Sequence, residues 1–332
     1  MILKYHHSTS PEVWTGRIDH PTDPDAARFH QAVRLVSIED IPVESEKSSK
    51  TLFCILGFSC DEGVRRNMGR VGAAEGPFKI RTELAKLPAN FNRTSELLDL
   101  GNIICQGEDM EGAQAELSLL VNYLLSHNIT PLVLGGGHEI VFGHYLGVAM
   151  HAENLFQAPP LIINLDAHLD LRPTNDGGTS GTSFNQIAEK QAAEGKPFDY
   201  ICIGTQTYGN TRSLYKRADE LGVNYFDAKD ITETSKGHVL SQVLAQLKTH
   251  DSAYLTLDFD VLNAAHAPGV SSPQPFGISP DLMLYFVKAI LRTGKVKSLD
   301  IAEVSPRYDD DNQTAKLAAV VLYSMLNVLG EI

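Results

Sequence analysis

Short apolar runs alternate with segments of helical periodicity along this sequence, and the alternation leaves few folds open to it. The runs are rich in Val, Ile and Leu, and each is as long as one strand: Leu52–Phe58, Pro131–Leu134, Leu161–Leu165, Tyr200–Gly204, Val223–Phe226, Tyr254–Leu257 and Val296–Ile301. The helical segments are Pro77–Leu87, Gly112–Leu125, Phe184–Gln191, Arg212–Leu221, His238–Leu247, Pro280–Leu291 and Thr314–Leu329. Strands that are apolar throughout are buried on both faces, as in parallel sheets covered by helices. The pattern therefore predicts an α/β fold with a central parallel sheet.

The charge balance excludes some classes of partner. Against 41 Asp and Glu the chain has only 28 Lys and Arg, a net charge of −13 at pH 7, whereas an extended nucleic-acid surface is basic. Leu117–Gly137 contains no charged residue and approaches the length of a membrane span, but Pro131 interrupts it. We expect it to form a buried helix followed by a strand, and we expect neither nucleic acid nor membrane as a partner.

The first fifty residues differ from the rest of the chain. Met1–Lys50 is polar and contains several prolines: Pro11, Pro21, Pro24 and Pro42. No linker or internal repeat divides the remainder. We therefore predict a single domain over residues 1–332, in which residues 1–50 form a peripheral segment that wraps the core.

Cysteine usage indicates a reducing compartment. The chain has four cysteines, too few to cross-link 332 residues and without a C-x-x-C pair: Cys54, Cys60, Cys105 and Cys202. Met1–Ser10 lacks the apolar region of a secretory signal. We expect reduced thiols and a cytoplasmic protein.

Polar clusters directly follow three of the predicted strands. Asp166-Ala167-His168-Leu169-Asp170 follows one, Asp258-Phe259-Asp260 follows another, and Gly135-Gly136-Gly137-His138-Glu139 follows the third. Alternate residues of an extended chain share a face, and ligands bind beyond the carboxyl ends of parallel strands. The sequence thus predicts that the following side chains meet at one edge of the sheet: His138, Asp166, His168, Asp170, Asp258 and Asp260.

Such a concentration of carboxylates points to metal ions. Neighbouring carboxylates repel one another unless cations neutralise them, and two divalent ions would supply that charge. Oxygen-rich ligation with two imidazoles favours Mn²⁺, although imidazole also accommodates Zn²⁺, Co²⁺ or Ni²⁺. A metal pair can hold a bridging hydroxide near neutral pH, which predicts a hydrolase. A single D-x-D is more often a solvated loop, and only the combination of clusters favours metal binding.

The three clusters, in this order and spacing, resemble the ureohydrolase family, which includes arginases and agmatinases. The resemblance runs from about Gly57 to the C-terminus and includes Asp300-Ile301-Ala302-Glu303-Val304-Ser305-Pro306. It implies a three-layer α/β/α fold, two Mn²⁺ ions held by the six side chains named above, and hydrolysis of a guanidino or amidino C–N bond. By residue match, Glu303 would pair with the cationic amidine, although a structural ion pair is the alternative. We hypothesise that Asp170, besides binding metal, passes a proton to the leaving nitrogen.

Further segments are similar to the formimidoylglutamase branch of that family, and extend the resemblance over nearly the whole chain: Trp14–Arg17, Cys60–Asn67, Gly69–Ala73 and Ala267–Ser271. Ser180-Gly181-Thr182-Ser183-Phe184 lacks the asparagine and the nearby histidine of arginine-cleaving members, and Arg172 stands where arginases carry asparagine. This branch implies the reaction of N-formimidoyl-L-glutamate with water to give L-glutamate and formamide, in histidine degradation.

Candidate substrate contacts follow from the two carboxylates of that compound. Arg172 is the first candidate, because a guanidinium binds a carboxylate bidentately; otherwise it is a surface arginine. Arg70 and Asn67, in a glycine-bearing loop, either bind substrate, line the entrance or contact a neighbouring subunit. Thr182 and Ser183 either hydrogen-bond the substrate or cap the following helix.

Other activities stay open from sequence alone. Another ureohydrolase activity is one alternative: agmatinase, guanidinobutyrase or arginase. A non-catalytic metal-binding member of the fold is the alternative from a different class. The family resemblance implies a homo-oligomer, and the only other partner expected is a small-molecule substrate.

Overall fold

The computed structural model describes residues 3–41, 50–92 and 94–331, and within these ranges the strands form one ten-stranded sheet. The strands are β1 (His6–His7), β2 (Arg34–Leu35), β3 (Thr51–Ser59), β4 (Ser95–Ile104), β5 (Ile129–Gly135), β6 (Leu161–Leu165), β7 (Tyr200–Thr205), β8 (Asn224–Asp227), β9 (Ala253–Asp258) and β10 (Val296–Ala302). Their order is β1-β4-β3-β5-β10-β9-β6-β7-β8, and β2 also pairs with β4. Only β1 runs antiparallel to its neighbour among these described strands.

Helices cover both faces of the sheet. They are α1 (Phe29–Ala32), α2 (Glu62–Arg66), α3 (Gly76–Leu84), α4 (Met110–Ser126), α5 (Ile140–Phe156), α6 (Ser183–Ala193), α7 (Arg212–Leu221), α8 (Lys236–Lys248), α9 (Pro280–Leu291) and α10 (Gln313–Leu329). One apolar core joins the sheet to α3, α8, α9 and α10, and a second joins it to α4, α5, α6 and α7. Successive residues of β3 alternate between them, with Phe53 in the first and Cys54 in the second. The predicted three-layer α/β/α fold is confirmed.

Two large elements are absent from the sequence prediction, namely β4 and α5. The apolar pattern of β4 is broken by Asp99, which is buried against the guanidinium of Arg81 in α3, with Nε to Oδ2 at 2.9 Å. Helix α5 carries no charged residue before Glu153 and is buried over much of its surface, so it lacks the polar face that marks an amphipathic helix. In both cases, contacts distant in sequence determine the element.

The N-terminal segment packs along one edge of the sheet. Its strand β1 pairs with β4 in the register His6↔Ile103. Its second strand, β2, also pairs with β4. The indole of Trp14 is buried and donates from Nε1 to Asp99 Oδ2 at 2.7 Å. Of the segment predicted to be peripheral, residues 1–2 and 42–49, including Pro42, lie outside the described residues. Among the described helices, none is long and apolar enough to cross a membrane.

Candidate active site

The predicted site lies where four neighbouring strands end. Strands β5, β10, β9 and β6 are adjacent in the sheet, and their carboxyl ends meet at one edge. His138 follows β5, and Asp166, His168 and Asp170 follow β6. Asp258 ends β9, and Asp260 lies in the single helical turn Phe259–Val261. The structure thus brings the six side chains predicted as metal ligands to one place.

The candidate ligand atoms form two groups that share one carboxylate. In the first group, His138 Nδ1 lies 2.9 Å from Asp170 Oδ2, 3.1 Å from Asp166 Oδ2 and 3.3 Å from Asp258 Oδ2. In the second, His168 Nδ1 lies 3.0 Å from Asp260 Oδ2 and 3.5 Å from Asp166 Oδ1. Asp166 therefore turns one oxygen to each group, so it could serve both members of a pair of cations.

The local backbone explains why the clusters use alternate residues. Asp166 Oδ1 accepts a hydrogen bond from the backbone N–H of His168 at 2.6 Å, and Asp258 Oδ1 accepts one from Asp260 at 2.7 Å. Each aspartate thus fixes the turn that presents the next ligand. Asp170 has a φ of 47°, in the left-handed region that costs a non-glycine residue free energy and that occurs often at functional sites.

The turn that carries His138 requires glycine. The N–H of Gly136 donates to Phe58 O at 2.7 Å, and a Cβ at Gly136 would lie 1.7 Å from Cys60 O, closer than any side chain allows. The backbone N–H of His138 donates to Glu303 Oε1 at 2.9 Å. The ends of β3, β5 and β10 are thereby tied together around the first imidazole.

The pKa values at the site reflect burial and crowded charge. Burial by itself lowers the pKa of His138, but the carboxylates of Asp258, Asp166 and Asp170 outweigh it and raise that pKa well above its usual value. Burial, reinforced by the charges of Asp260 and Asp166, raises the pKa of Asp258. Burial together with the charge of Glu139 raises the pKa of Glu303 to about 8. Cations bound among these groups would displace protons from the imidazoles and stabilise the ionised carboxylates.

The donor set fits two divalent cations that prefer oxygen. Each of the triads His138–Asp166–Asp258 and Asp166–His168–Asp260 places one ligand atom per residue within 4.8 Å of the others. The buried Asp260 Oδ1 has no hydrogen-bond partner among the described residues, although buried polar oxygens are almost always paired. Carboxylate oxygens with imidazole nitrogens suit Mn²⁺.

A cavity of about 400 Å³ opens onto these groups. Its floor is lined by Glu303 and by all the candidate metal ligands except Asp166: His138, His168, Asp170, Asp258 and Asp260. Its wall holds polar side chains from several loops: Asn67, Arg70, Arg172, Ser180, Asn210, Ser271 and Ser272. Four of these wall residues are not among the predicted site residues: Ser180, Asn210, Ser271 and Ser272. Ser180 and Ser271 belong to segments compared with the family, but only Asn210 and Ser272 lack any such signal in the sequence.

Arg172 is placed to meet an anion in this cavity. Its backbone N–H donates to Gly181 O at 2.9 Å, while its exposed guanidinium has no hydrogen-bond or ion-pair partner in the described parts of the chain. A Cβ at Gly181 would lie 2.9 Å from Arg172 Nε and 3.1 Å from Asn67 Nδ2. The absence of a side chain at position 181 therefore leaves room for both groups on the cavity wall.

Arg70 is held by the opposite loop. Its Nε donates to Ser271 O at 2.9 Å, its Nη2 donates to Val270 O at 2.6 Å, and its guanidinium stacks over the ring of Tyr308. Its position on the wall is thereby fixed, but several of its donors are already used. Arg66, the last residue of α2, pairs instead with Glu62 and Glu111 and is not part of the cavity wall.

Thr182 and Ser183 lie behind the wall rather than on it. Thr182 Oγ1 donates within its own turn, to Thr179 O or Gln186 Oε1, both at 3.0 Å. Ser183 Oγ is buried and donates to His138 O at 3.2 Å. Both hydroxyls have protein partners, so their geometry favours support of the turn at the start of α6 over direct contact with a substrate.

Comparison with known proteins identifies relatives over nearly the whole chain. Residues 52–327 match the model of the arginase family. A formimidoylglutamase of Clostridium tetani is 44% identical over 97% of this chain and 95% of its own, and one of Lysinibacillus sphaericus is 42% identical over 97% of each. The crystal structure of formimidoylglutamase from Bacillus subtilis has the same fold, with a TM-score of 0.78, 23% identity, and coverage of 95% of this chain and 96% of that one. The crystal structure of Trypanosoma cruzi formiminoglutamase with Mn²⁺ has a TM-score of 0.74 at 25% identity, over 88% of this chain and 99% of that one.

Proposed function

The chain belongs to the arginase family, and we propose that it is a hydrolase that converts N-formimidoyl-L-glutamate and water to L-glutamate and formamide. The match to that family confirms the resemblance carried by the polar clusters. The observation that most favours this substrate is the guanidinium of Arg172, which faces the cavity above the acidic groups without a protein partner in the described chain. A substrate with carboxylates at one end and an amidine at the other can engage both.

We propose that two Mn²⁺ ions are held by His138, Asp166, His168, Asp170, Asp258 and Asp260. When bound, such a pair supplies Lewis acidity and activates water for attack on the amidine carbon. The chain's own contribution is to fix the carboxylates and imidazoles before the substrate arrives, through the turns that Asp166 and Asp258 cap.

Substrate orientation is assigned to groups on the wall and floor. Arg172 binds one substrate carboxylate in the bidentate geometry of a guanidinium, and Arg70 and Asn67 contribute from the adjacent loop. Glu303 Oε1 accepts the N–H of His138, while the buried Oε2 has no partner among the described residues. A protonated amidine satisfies that oxygen, and its charge favours the ionised form of Glu303.

Proton transfer is assigned to Asp170. Its carboxylate lines the cavity and lies 2.9 Å from His138 Nδ1, so it can reach both a water activated at the proposed metal site and a substrate bound in the cavity. It accepts a proton released as water adds to the formimidoyl carbon and returns it to the departing amine of glutamate. The carbon–nitrogen bond to glutamate breaks, and the formimidoyl carbon leaves as formamide.

The biological setting is part of the same proposal. The reaction belongs to histidine degradation, in a cytoplasmic homo-oligomer. The cysteines support a reducing compartment, because four are too few to cross-link 332 residues and none forms a C-x-x-C pair.

The test is product analysis with the Mn²⁺-loaded protein. Release of formamide and glutamate from N-formimidoyl-L-glutamate is expected, with arginine and agmatine incubated in parallel and assayed for urea. Release of urea from arginine or agmatine, without release of glutamate from N-formimidoyl-L-glutamate, would show that the substrate assignment is wrong. It would still support the proposed metal site. No product from any of them, with two Mn²⁺ bound, would favour a non-catalytic metal protein.

A further inference from the structure

A buried chain of hydrogen bonds runs from His138 away from the cavity, and the proposed reaction assigns it no role. We propose that Thr256, Asp300 and His144 are positioning residues that make Nδ1 of His138 the metal-binding nitrogen. The inference rests on the proposed function, because it takes His138 to be a metal ligand.

This chain of hydrogen bonds begins at Nε2 of His138, the ring nitrogen that faces away from the carboxylates. His138 Nε2 lies 3.0 Å from Thr256 Oγ1, and Thr256 Oγ1 donates to Asp300 Oδ1 at 2.6 Å. His138 is 1% exposed, and Thr256 and Asp300 are fully buried. Buried polar atoms without a partner are rare, so each donor and acceptor at this depth is expected to be paired within the hydrogen-bond chain.

The direction of these bonds fixes the proton on the imidazole. A threonine hydroxyl has one proton, and that of Thr256 is given to Asp300. The oxygen of Thr256 must then accept from His138, so Nε2 carries the imidazole proton. In a neutral imidazole the other nitrogen is an acceptor, and Nδ1 faces Asp166, Asp170 and Asp258.

Asp300 is in turn held from two other elements. The hydroxyl of Tyr254 donates to Asp300 Oδ2, and His144 Nδ1 in α5 lies 2.6 Å from the same oxygen. On the far side of that ring, His144 Nε2 lies 2.6 Å from Ser298 Oγ, which donates to Pro131 O at 2.9 Å. Because a carboxylate oxygen only accepts, Nδ1 of His144 carries the proton of its contact with Asp300. The chain of hydrogen bonds therefore ends on the backbone carbonyl of Pro131 in β5, the strand that precedes His138.

These hydrogen bonds orient the His138 ring and determine which of its nitrogens carries the proton. Its members come from β5, β9, β10 and α5, so the orientation of the His138 ring is fixed by the central strands rather than by its own loop. Without the hydroxyl of Thr256, a proton on Nε2 would be buried without an acceptor, and the imidazole would favour a proton on Nδ1. An Nδ1–H cannot bind a cation. Partners of this kind typically change metal affinity by about 10- to 100-fold.

The test compares Thr256→Val, which removes the hydroxyl at nearly constant volume, with Thr256→Ser, which retains it. Mn²⁺ affinity and stoichiometry are measured by titration calorimetry on metal-free proteins, with thermal melting as the check on folding. We expect Thr256→Val to bind at least one Mn²⁺ about 10- to 100-fold more weakly than wild type and Thr256→Ser to restore the affinity. If Thr256→Val does not fold, Thr256→Ala, which introduces no new contact, carries the same expectation.

Thr205→Val is the matched control. Thr205 is likewise a buried strand threonine, at the end of β7, but its Oγ1 donates to Asp227 Oδ1 at 2.7 Å, and Asp227 is not a proposed ligand. Its Mn²⁺ affinity should equal that of wild type. Equal affinity of wild type and Thr256→Val, with two Mn²⁺ bound to each, would overturn the positioning role and leave the metal site standing. Failure of the wild type itself to bind Mn²⁺ would instead overturn the proposed function, and the inference with it.

Discussion

Arg172 and Arg70 both reach the cavity wall, but the described contacts leave only Arg172 with its guanidinium unpaired. Arg172→Ala should therefore remove the stronger of two carboxylate contacts. Hydrogen bonds to charged groups contribute about 1.5–3 kcal/mol, which predicts a fall of roughly 10- to 150-fold in kcat/KM, mainly through KM. Steady-state kinetics on N-formimidoyl-L-glutamate measure it.

Arg292 provides the comparison for this variant. It is an exposed arginine beyond the end of α9, 4.0 Å from Glu331, and it is not part of the cavity. Arg292→Ala should leave both kinetic constants unchanged. If Arg172→Ala behaves in the same way, Arg172 does not bind the substrate carboxylate, and Arg70 becomes the first candidate.

Glu139 makes stability depend on pH. Burial raises the pKa of Glu139 to about 7, although the N–H of Gly63 donates to its Oε1 at 3.0 Å. Because the folded-state pKa lies above the unfolded value, the contribution of Glu139 to stability is fully present below about pH 4.5 and is lost as the pH rises through about 7. Ionised Glu139 thus costs the folded protein on the order of 3 kcal/mol at alkaline pH.

Glu139→Gln keeps the shape and cannot ionise. The melting temperature of the variant, relative to wild type, should therefore be higher at pH 9 than at pH 5, with both proteins metal-free. The sign of this change is the diagnostic, because loss of a favourable ion pair would produce the opposite trend. A difference that is the same at both pH values would show that Glu139 does not titrate in this range.

At the scale of elements, β4 shows how a charged residue can be part of a buried strand. Asp99 accepts from Arg81 Nε and Nη2, both at 2.9 Å, and from the N-terminal residues Thr9 and Trp14. Arg81→Met would leave that carboxylate buried without its cation, a change that typically costs about 3–5 kcal/mol. Denaturant unfolding of the variant measures the loss.

The same strand supplies the control. Glu96 of β4 pairs with Arg34 at 2.6 Å, but this ion pair is partly exposed. Arg34→Met should cost no more than about 1 kcal/mol, as exposed ion pairs do. Similar losses for the two variants would mean that burial does not set the strength of the Arg81–Asp99 pair.

The contrast between β4 and the other strands explains what the sequence could predict. Strands β5, β6 and β9 are continuous apolar runs that end in polar clusters, so both the strands and the meeting of their ligands follow from local pattern. Strand β4 depends on Arg81, and the His144–Asp300 contact joins residues far apart in sequence. Such pairs appear only when the chain is folded. Thr256 lies between these two cases. It is two residues before Asp258, so the sequence places it on the same face of the strand, but its contact with Asp300 appears only in the folded chain.

At the scale of the whole molecule, the proposed ligands come from the ends of three strands of one sheet. Their carboxylates are therefore close enough to repel one another only when the chain is folded. Cations that bind the folded protein and not the unfolded chain stabilise it by mass action, by about 2.7 kcal/mol for one site at a concentration one hundred times Kd. Mn²⁺ should therefore raise the melting temperature in a saturable manner.

Asp258→Ala separates this effect from general binding of cations to a chain of net charge −13. Asp258 Oδ2 lies 3.3 Å from His138 Nδ1, so the variant lacks an oxygen from the first group of ligands but keeps nearly all of the surface charge. Its melting temperature should respond much less to Mn²⁺, and its hydrolytic activity should fall with metal content. An equal rise in wild type and variant would show that the cations bind elsewhere on the acidic surface, since screening depends on total charge and not on one buried carboxylate.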